Sequence, residues 1–169
     1  KTEVARSLGA RVVSEARRGY GQACLSGLAA LGPVDIVVFL DGDYSDFPED
    51  MPALLEPILR GEADLVIGSR VLGQREAGAL LPQQRLGNAL ATWLIHLLFG
   101  VRYTDLGPFR AIRTEALGRL QMQDRDYGWT VEMQVKAARA GLRLAEVPVR
   151  YRRRLGTSKI SGTLKGTLK

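Results

Sequence analysis

At 169 residues, 46% hydrophobic and 25% charged, the chain has the length and balance of one globular domain with a sizeable core, which excludes wholesale disorder. Its 24 Lys and Arg against 18 Asp and Glu leave a net charge of +6. The excess crowds into an acid-free end carrying Arg150, Arg152, Arg153, Arg154, Lys159, Lys165 and Lys169, which implies an anionic partner: phosphate, an acidic membrane surface or nucleic acid.

The first residue is Lys1, and residues 2–8 read as the last turns of a helix closed by Gly9, so a segment is expected upstream. No secretory signal is visible, and no run reaches the ~18 apolar residues of a membrane span. Residues 10–15 read as a short strand, 17–21 (RRGYG) as a glycine-punctuated loop, and 22–31 as a small-residue helix. That helix carries the single Cys24, which excludes an internal disulfide and a thiolate metal cluster; a buried thiol fits a reducing, cytoplasmic compartment. The apolar run 34–40 (VDIVVFL) predicts a central strand buried on both faces. A helix follows over 48–60, with Pro48 and Pro52 early enough to be tolerated and Pro57 a kink. Residues 63–68 (ADLVIG) predict a second buried strand, and the βαβ order predicts parallel pairing of the two through a right-handed crossover.

Residues 71–84 have no clear period and read as a mobile loop that closes over a site. The helix predicted over 85–99 is apolar nearly all round. Its apolar part, about 20 Å long at 1.5 Å per residue, is too short to span a bilayer; it suits a membrane interface, with a buried core helix as the alternative. A strand at 109–113, helices at 115–120 and 129–140, and a strand within 142–151 that closes the sheet complete the pattern.

Chemistry concentrates where strands end. Asp41-Gly42-Asp43 terminates the first apolar run, and in open α/β sheets ligands collect at the carboxyl ends of strands. Two carboxylates one residue apart there suit Mg²⁺ or Mn²⁺, with substrate phosphate oxygens completing the shell; a ligand-free turn is the plain alternative. Arg70 ends the second run at the same edge, able to neutralise the carboxylates or a diphosphate. Arg18 precedes two glycines at a helix N-terminus, where backbone approach and dipole favour an anion. Asp105, before a Gly-Pro turn, reads as turn chemistry or as an acceptor-side base. Trp129 and Glu132 begin a helix that could face the cleft, offering a sugar an aromatic plane and a carboxylate; a surface ion pair of Glu132 with Lys136 is the alternative. Arg154, Ser158 and Lys159 belong to a glycine-containing basic segment suited to phosphate oxygens. His96, with no second ligand nearby, reads as a packing residue.

Taken in order, RGYGQA (18–23), VVFLDGDYSDFPED (37–50), DLVIGSR (64–70), RLGN with its apolar helix (85–99), TDLGPFRAIR (104–113), WTVEM (129–133) and RRRLGTSK (152–159) resemble the family 2 glycosyltransferases, most of all the polyprenyl-phosphate sugar synthases. The resemblance implies the α/β GT-A fold, a Rossmann-like and mostly parallel sheet flanked by helices. It implies a catalytic domain over residues 1–154, followed by a basic, flexible tail over 155–169. Missing from the family's pattern is an N-terminal part that holds base and ribose. The resemblance further implies inverting transfer from a UDP- or GDP-sugar, with Asp41 and Asp43 around Mg²⁺ or Mn²⁺ and diphosphate. Arg70, Arg110, Arg154 and Lys159 then lie near phosphates, and Asp105 near the reacting centre; Glu132, from its place at the helix start, is the other catalytic candidate. The acceptor is a lipid phosphate, met at the cytoplasmic face of a membrane, or the hydroxyl of an envelope glycan. Ser45 and Gly107-Pro108 depart from the branch's usual glutamine and Ser-Gly, which leaves the acceptor class open. A sugar-nucleotide nucleotidyltransferase and an inactive fragment stand as alternatives. A nucleic-acid-binding domain is disfavoured by the acids at 41, 43, 46, 49 and 50.

Overall fold

The structure, a computed structural model, describes residues 2–156. Ser158 and Lys159, assigned above to phosphate and substrate, lie outside the described residues. The elements are α1 (Thr2–Ser7), α2 (Tyr20–Ala29), β1 (Ile36–Phe39), a 3-10 turn (Pro48–Asp50) leading into α3 (Met51–Leu59), β2 (Leu65–Ser69), α4 (Pro82–Phe99), β3 (Arg110–Arg113), α5 (Thr114–Leu120), α6 (Trp129–Arg139) and β4 (Leu144–Pro148).

The four strands form one sheet in the order β1-β3-β2-β4. β1 and β2 run parallel to each other, as the βαβ reading requires, but they do not pair. β3 lies between them, antiparallel to both, with Arg110 opposite Phe39 on one side and Ile67 on the other. The sheet is therefore mixed, and its parallel ladder joins β2 to β4. This corrects the expectation of direct β1–β2 pairing, while three of the four strands still run in one direction. β2, buried at every position, is the strand with both faces covered; β1 is half-buried and lies at the margin of the described sheet. Residues 10–15 are not a strand.

Alternation along β2 sorts the core into two layers. Leu65 and Ile67 join Ile95, Leu117, Leu120, Trp129 and Met133 on one face; Val66 joins Leu54, Ile58, Phe109 and Val149 on the other. Each fully buried aliphatic side chain contributes about 1.5–3 kcal/mol relative to exposure, so α3 is held chiefly by Leu54 and Ile58. Pro57 falls two residues from the end of α3 and has no amide to give the Ala53 carbonyl one turn back. Because β1, β2 and β4 share a direction and β3 opposes them, one edge of the sheet gathers the residues after β1, β2 and β4 and the start of β3.

Candidate functional site

The loop after β1 brings three carboxylates to that edge. Asp43 turns back on its own chain, one carboxylate oxygen accepting the Ser45 amide at 3.0 Å and the Ser45 hydroxyl. This side-chain turn carries Tyr44 into the left-handed region at φ 75. Asp46 accepts the Asp41 amide on one oxygen at 3.2 Å, while its other oxygen is buried with no partner among the described residues. Burial, and then the charge of Asp43, push Asp41 above the usual carboxylate range; the Tyr20 hydroxyl bonded to it, with Arg154 and Arg70, pulls the other way. Burial also raises Asp46, to about 7, helped by the Asp41 and Asp43 charges. Asp43 is lowered: burial opposes its charge, but the Ser45 bonds and Arg154 outweigh it.

The segment 149–155 is stitched across this loop. Val149 donates to the Ser69 carbonyl, Tyr151 exchanges backbone bonds with Gln74 and Glu76, Arg152 donates to the Ser45 carbonyl, and Leu155 to that of Asp43. The Arg152 guanidinium lies 3.3 Å from the ring centre of Tyr44 and 4.2 Å from that of Phe47, and it donates to the Tyr44 and Asp46 carbonyls. Arg154 then reaches Asp43 as an ion pair. Arg152 and Asp46 are the residues the sequence reading missed here. A signal for Asp46 was present, a third acid between Asp-Gly-Asp and the aromatic Phe47.

Behind this loop sits a second acidic centre of different character. Asp105 is fully buried and receives three bonds from Arg70, from its amide and Nε at 2.8 Å and its Nη2 at 2.7 Å. Burial opposes the Arg70 charge, but Asp105 outweighs it and holds the guanidinium above its usual range. Arg70 also lies 5.0 Å from the ring centre of Tyr151, which ties the centre to the stitched segment. The turn around Asp105 is pinned by Glu146, accepting the Thr104 and Asp105 amides, by Asn88, bonded to Thr104 and Leu106, and by Gln134, donating to the Asp105 carbonyl.

The remaining candidates separate. Arg110, expected near a diphosphate, is wholly buried and donates to the carbonyls of Leu106, Gly107 and Thr130. Burial lowers it to about 10, and its work is to hold the 105–107 turn. Trp129 has no exposed surface and meets Phe39 edge-on in the core, so no indole face is open to a sugar. Glu132 accepts the Gln123 and Asp124 amides and pairs with Lys136 at 2.7 Å, the surface ion pair weighed as its alternative. The Gly19-Tyr20-Gly21 turn is not an open anion cradle. A Cβ on Gly19 or Gly21 would lie 2.0 or 2.1 Å from the Arg125 or Asp124 carbonyl oxygen, and the carbonyls of Asp126 and Arg125 take the Gly21 and Gln22 amides. The glycines serve close packing, and Arg18 is exposed beside them.

A cleft of about 940 Å³ runs from Arg70 along α4, walled by Arg75, Arg85 and Arg102 and by Leu86 and Trp93. No helix among the described residues is long and apolar enough to cross a membrane. Asp41 and Asp43 offer the hard oxygens a divalent cation prefers. No group of three His, Cys, Asp or Glu among the described residues is placed to hold a metal ion.

Residues 2–121 match the model of glycosyl transferase family 2. An uncharacterized glycosyltransferase of Mycobacterium tuberculosis is 40% identical over 168 residues, covering 98% of this chain and 74% of its own length. An undecaprenyl-phosphate mannosyltransferase of Micrococcus luteus is 35% identical over 141 residues, 78% of this chain and 56% of its own. Among solved structures, glucosyl-3-phosphoglycerate synthase from Mycobacterium tuberculosis, in complex with Mn²⁺, UDP-glucose and phosphoglyceric acid, superposes with a TM-score of 0.67 at 28% identity. That match covers 92% of this chain and 55% of the synthase, so the chain spans little more than half of this neighbour. The α/β architecture is thus that of the GT-A glycosyltransferases, and the chain belongs to glycosyl transferase family 2.

Proposed function

We propose that the chain carries out inverting transfer of a sugar from a nucleotide-diphosphate sugar to a polyprenyl phosphate, with Mg²⁺ or Mn²⁺ held at Asp41 and Asp43. The observation that carries this is the Asp41–Asp43 pair at the strand edge with Arg154 on Asp43. As the anomeric bond breaks, the leaving nucleoside diphosphate gains negative charge. A bound divalent ion supplies electrostatic stabilisation of that charge. Arg154, freed from Asp43, turns to the same phosphates, while Asp46 and Arg152 fix the loop that presents the carboxylates. Lys159 and Ser158 are assigned to the phosphates and the substrate by sequence alone.

The condition of Asp105 bears on the acceptor. A sugar hydroxyl needs a base to take its proton, whereas a phosphate acceptor arrives as an anion. Both Asp105 oxygens are engaged by Arg70, which supports the phosphate. So do the four arginines along the cleft and the relative named undecaprenyl-phosphate mannosyltransferase. Transfer to an envelope-glycan hydroxyl is the second reading, with Asp105 or Glu132 as base.

The test is sugar transfer from radiolabelled UDP- and GDP-sugars to undecaprenyl phosphate in detergent, with Mn²⁺ and then with EDTA. Transfer that EDTA abolishes is the expected result. Undiminished transfer in EDTA overturns the metal role, and no transfer to the lipid alongside transfer to a glycan overturns the acceptor.

A further inference from the structure

Helix α4 is built the wrong way round for a domain surface. Of its eighteen residues only Thr92 and Ile95 are buried. Leu86, Leu90, Trp93, Leu97 and Leu98 stand 73%, 55%, 57%, 64% and 68% exposed. These five recur at helical spacing and form one outward stripe about 18 Å long at 1.5 Å per residue. Solvent-facing helix positions are ordinarily polar, and a contiguous apolar face marks a partner. We propose that this face docks the protein flat on an anionic lipid bilayer, with Trp93 at the headgroup boundary and the Arg85 and Arg102 side chains toward lipid phosphates.

Three observations select a bilayer over another occupant. The first is charge. From Ala77 to Thr104 the chain has no acidic residue, and exposed Arg85 and Arg102 lie near the two ends of the stripe. An isologous contact with a second copy would set this acid-free, arginine-rimmed face against itself, with no carboxylate to offset the repulsion. An anionic leaflet supplies that offset at about 1 kcal/mol per contacting arginine. The second is composition: tryptophan and leucine beside arginine is the make-up of a helix lying in an interface, and α4 does not have the length and apolarity of a span. The third is continuity. Leu86 and Trp93 belong both to the stripe and to the wall of the cleft that ends at Arg70. A lipid-borne acceptor thus passes from leaflet to cleft without its hydrocarbon meeting water. In this last respect the inference rests on the acceptor class proposed above; the charge and exposure of the face do not.

Vesicle co-sedimentation of the 169-residue chain, without donor or acceptor, tests the surface alone. The probes are vesicles of phosphatidylcholine and vesicles with about a third phosphatidylglycerol. The expected result is binding to the anionic vesicles, weakened at about 1 M salt where the screening length falls to about 3 Å. A blue shift should come from Trp93, since Trp129 is already buried. Leu90 and Leu97 do not wall the cleft, so Leu90→Glu with Leu97→Glu should cut partitioning by about tenfold or more. The variant should keep its far-UV circular dichroism, thermal midpoint and transfer to a short water-soluble prenyl phosphate. Absence of binding to anionic vesicles overturns the proposal, as does a double variant that sediments like its parent. Sedimentation velocity showing a dimer that the double variant dissociates, with no vesicle binding, overturns it in favour of a second copy. Retained vesicle binding with no lipid transfer in detergent sinks the acceptor reading and leaves the docking face standing.

Discussion

The aspartates of the 41–46 loop and the aspartate of the 104–107 turn are the same residue type at the same sheet edge, and they are in opposite electrostatic condition. Asp46 is buried with one oxygen receiving nothing among the described residues, and half-buried Asp41 is raised beside it, with the Asp43 charge opposing both. Asp105 is deeper still, yet both its carboxylate oxygens accept from Arg70, and its backbone is bonded to Gln134 and Glu146. A carboxylate completed by protein is scaffold. A carboxylate cluster left electrostatically incomplete by protein is a candidate site for a cation and its ligand.

The largest expected effect breaks the second centre. Asp105→Asn leaves the Arg70 guanidinium buried against a neutral amide, and removing one partner of a buried pair costs about 3–5 kcal/mol. Chemical denaturation should register that loss, and replacing Arg70 by Met in the same chain should recover most of it. The identical change at the first centre carries the opposite sign. Burial and the Asp43 charge both oppose the ionised Asp41, so Asp41→Asn should leave stability level or higher. Transfer should fall about 10²–10³-fold, or about 2.7–4 kcal/mol, by analogy with removing one transition-state donor. Equal destabilisation by the two substitutions would erase the distinction.

A titration sharpens it. Asp46 is raised to about 7 by burial, so in chelator-treated protein the folded state holds a proton that the unfolded chain releases near its ordinary carboxylate value. Stability from this group is therefore greatest at low pH and is lost as pH rises from about 4 through about 7, on the order of 4 kcal/mol across that window. Asp46→Asn should flatten that slope. A slope that survives belongs to another group.

The sequence announced the first centre more readily than the second, for a physical reason. Asp41 and Asp43 follow an apolar run directly, and strand ends are where α/β sheets bind ligands, so local pattern sufficed. The Arg70–Asp105 pair joins residues 35 apart through pairing that no local pattern encodes. The insertion of β3 between β1 and β2 was hidden in the same way, since apolar runs reveal strands but not neighbours. Arg110 and Trp129 were misread because a long polar or aromatic side chain near a motif looks like a binding group until its burial is known. The apolar character of α4 was legible; that its apolar side faces outward was not.

Glu132 gives the smallest effect and the narrowest test. Its carboxylate accepts the Gln123 and Asp124 amides and pairs with Lys136, an arrangement that lowers it against the opposing influence of burial. Glu132→Gln keeps an oxygen for the amides and loses the charge, so stability should fall by about 1 kcal/mol, an i,i+4 pair alone accounting for about 0.3–0.5. If Glu132 belongs with Asp105 among the carboxylates completed by protein, kcat should stay within about threefold of the parent. A general base contributes about 10²–10⁴-fold, so a fall of that size in kcat, with KM and thermal midpoint unmoved, would transfer Glu132 to the reacting centre. That outcome would also favour a hydroxyl acceptor, because only a proton-bearing nucleophile needs such a base.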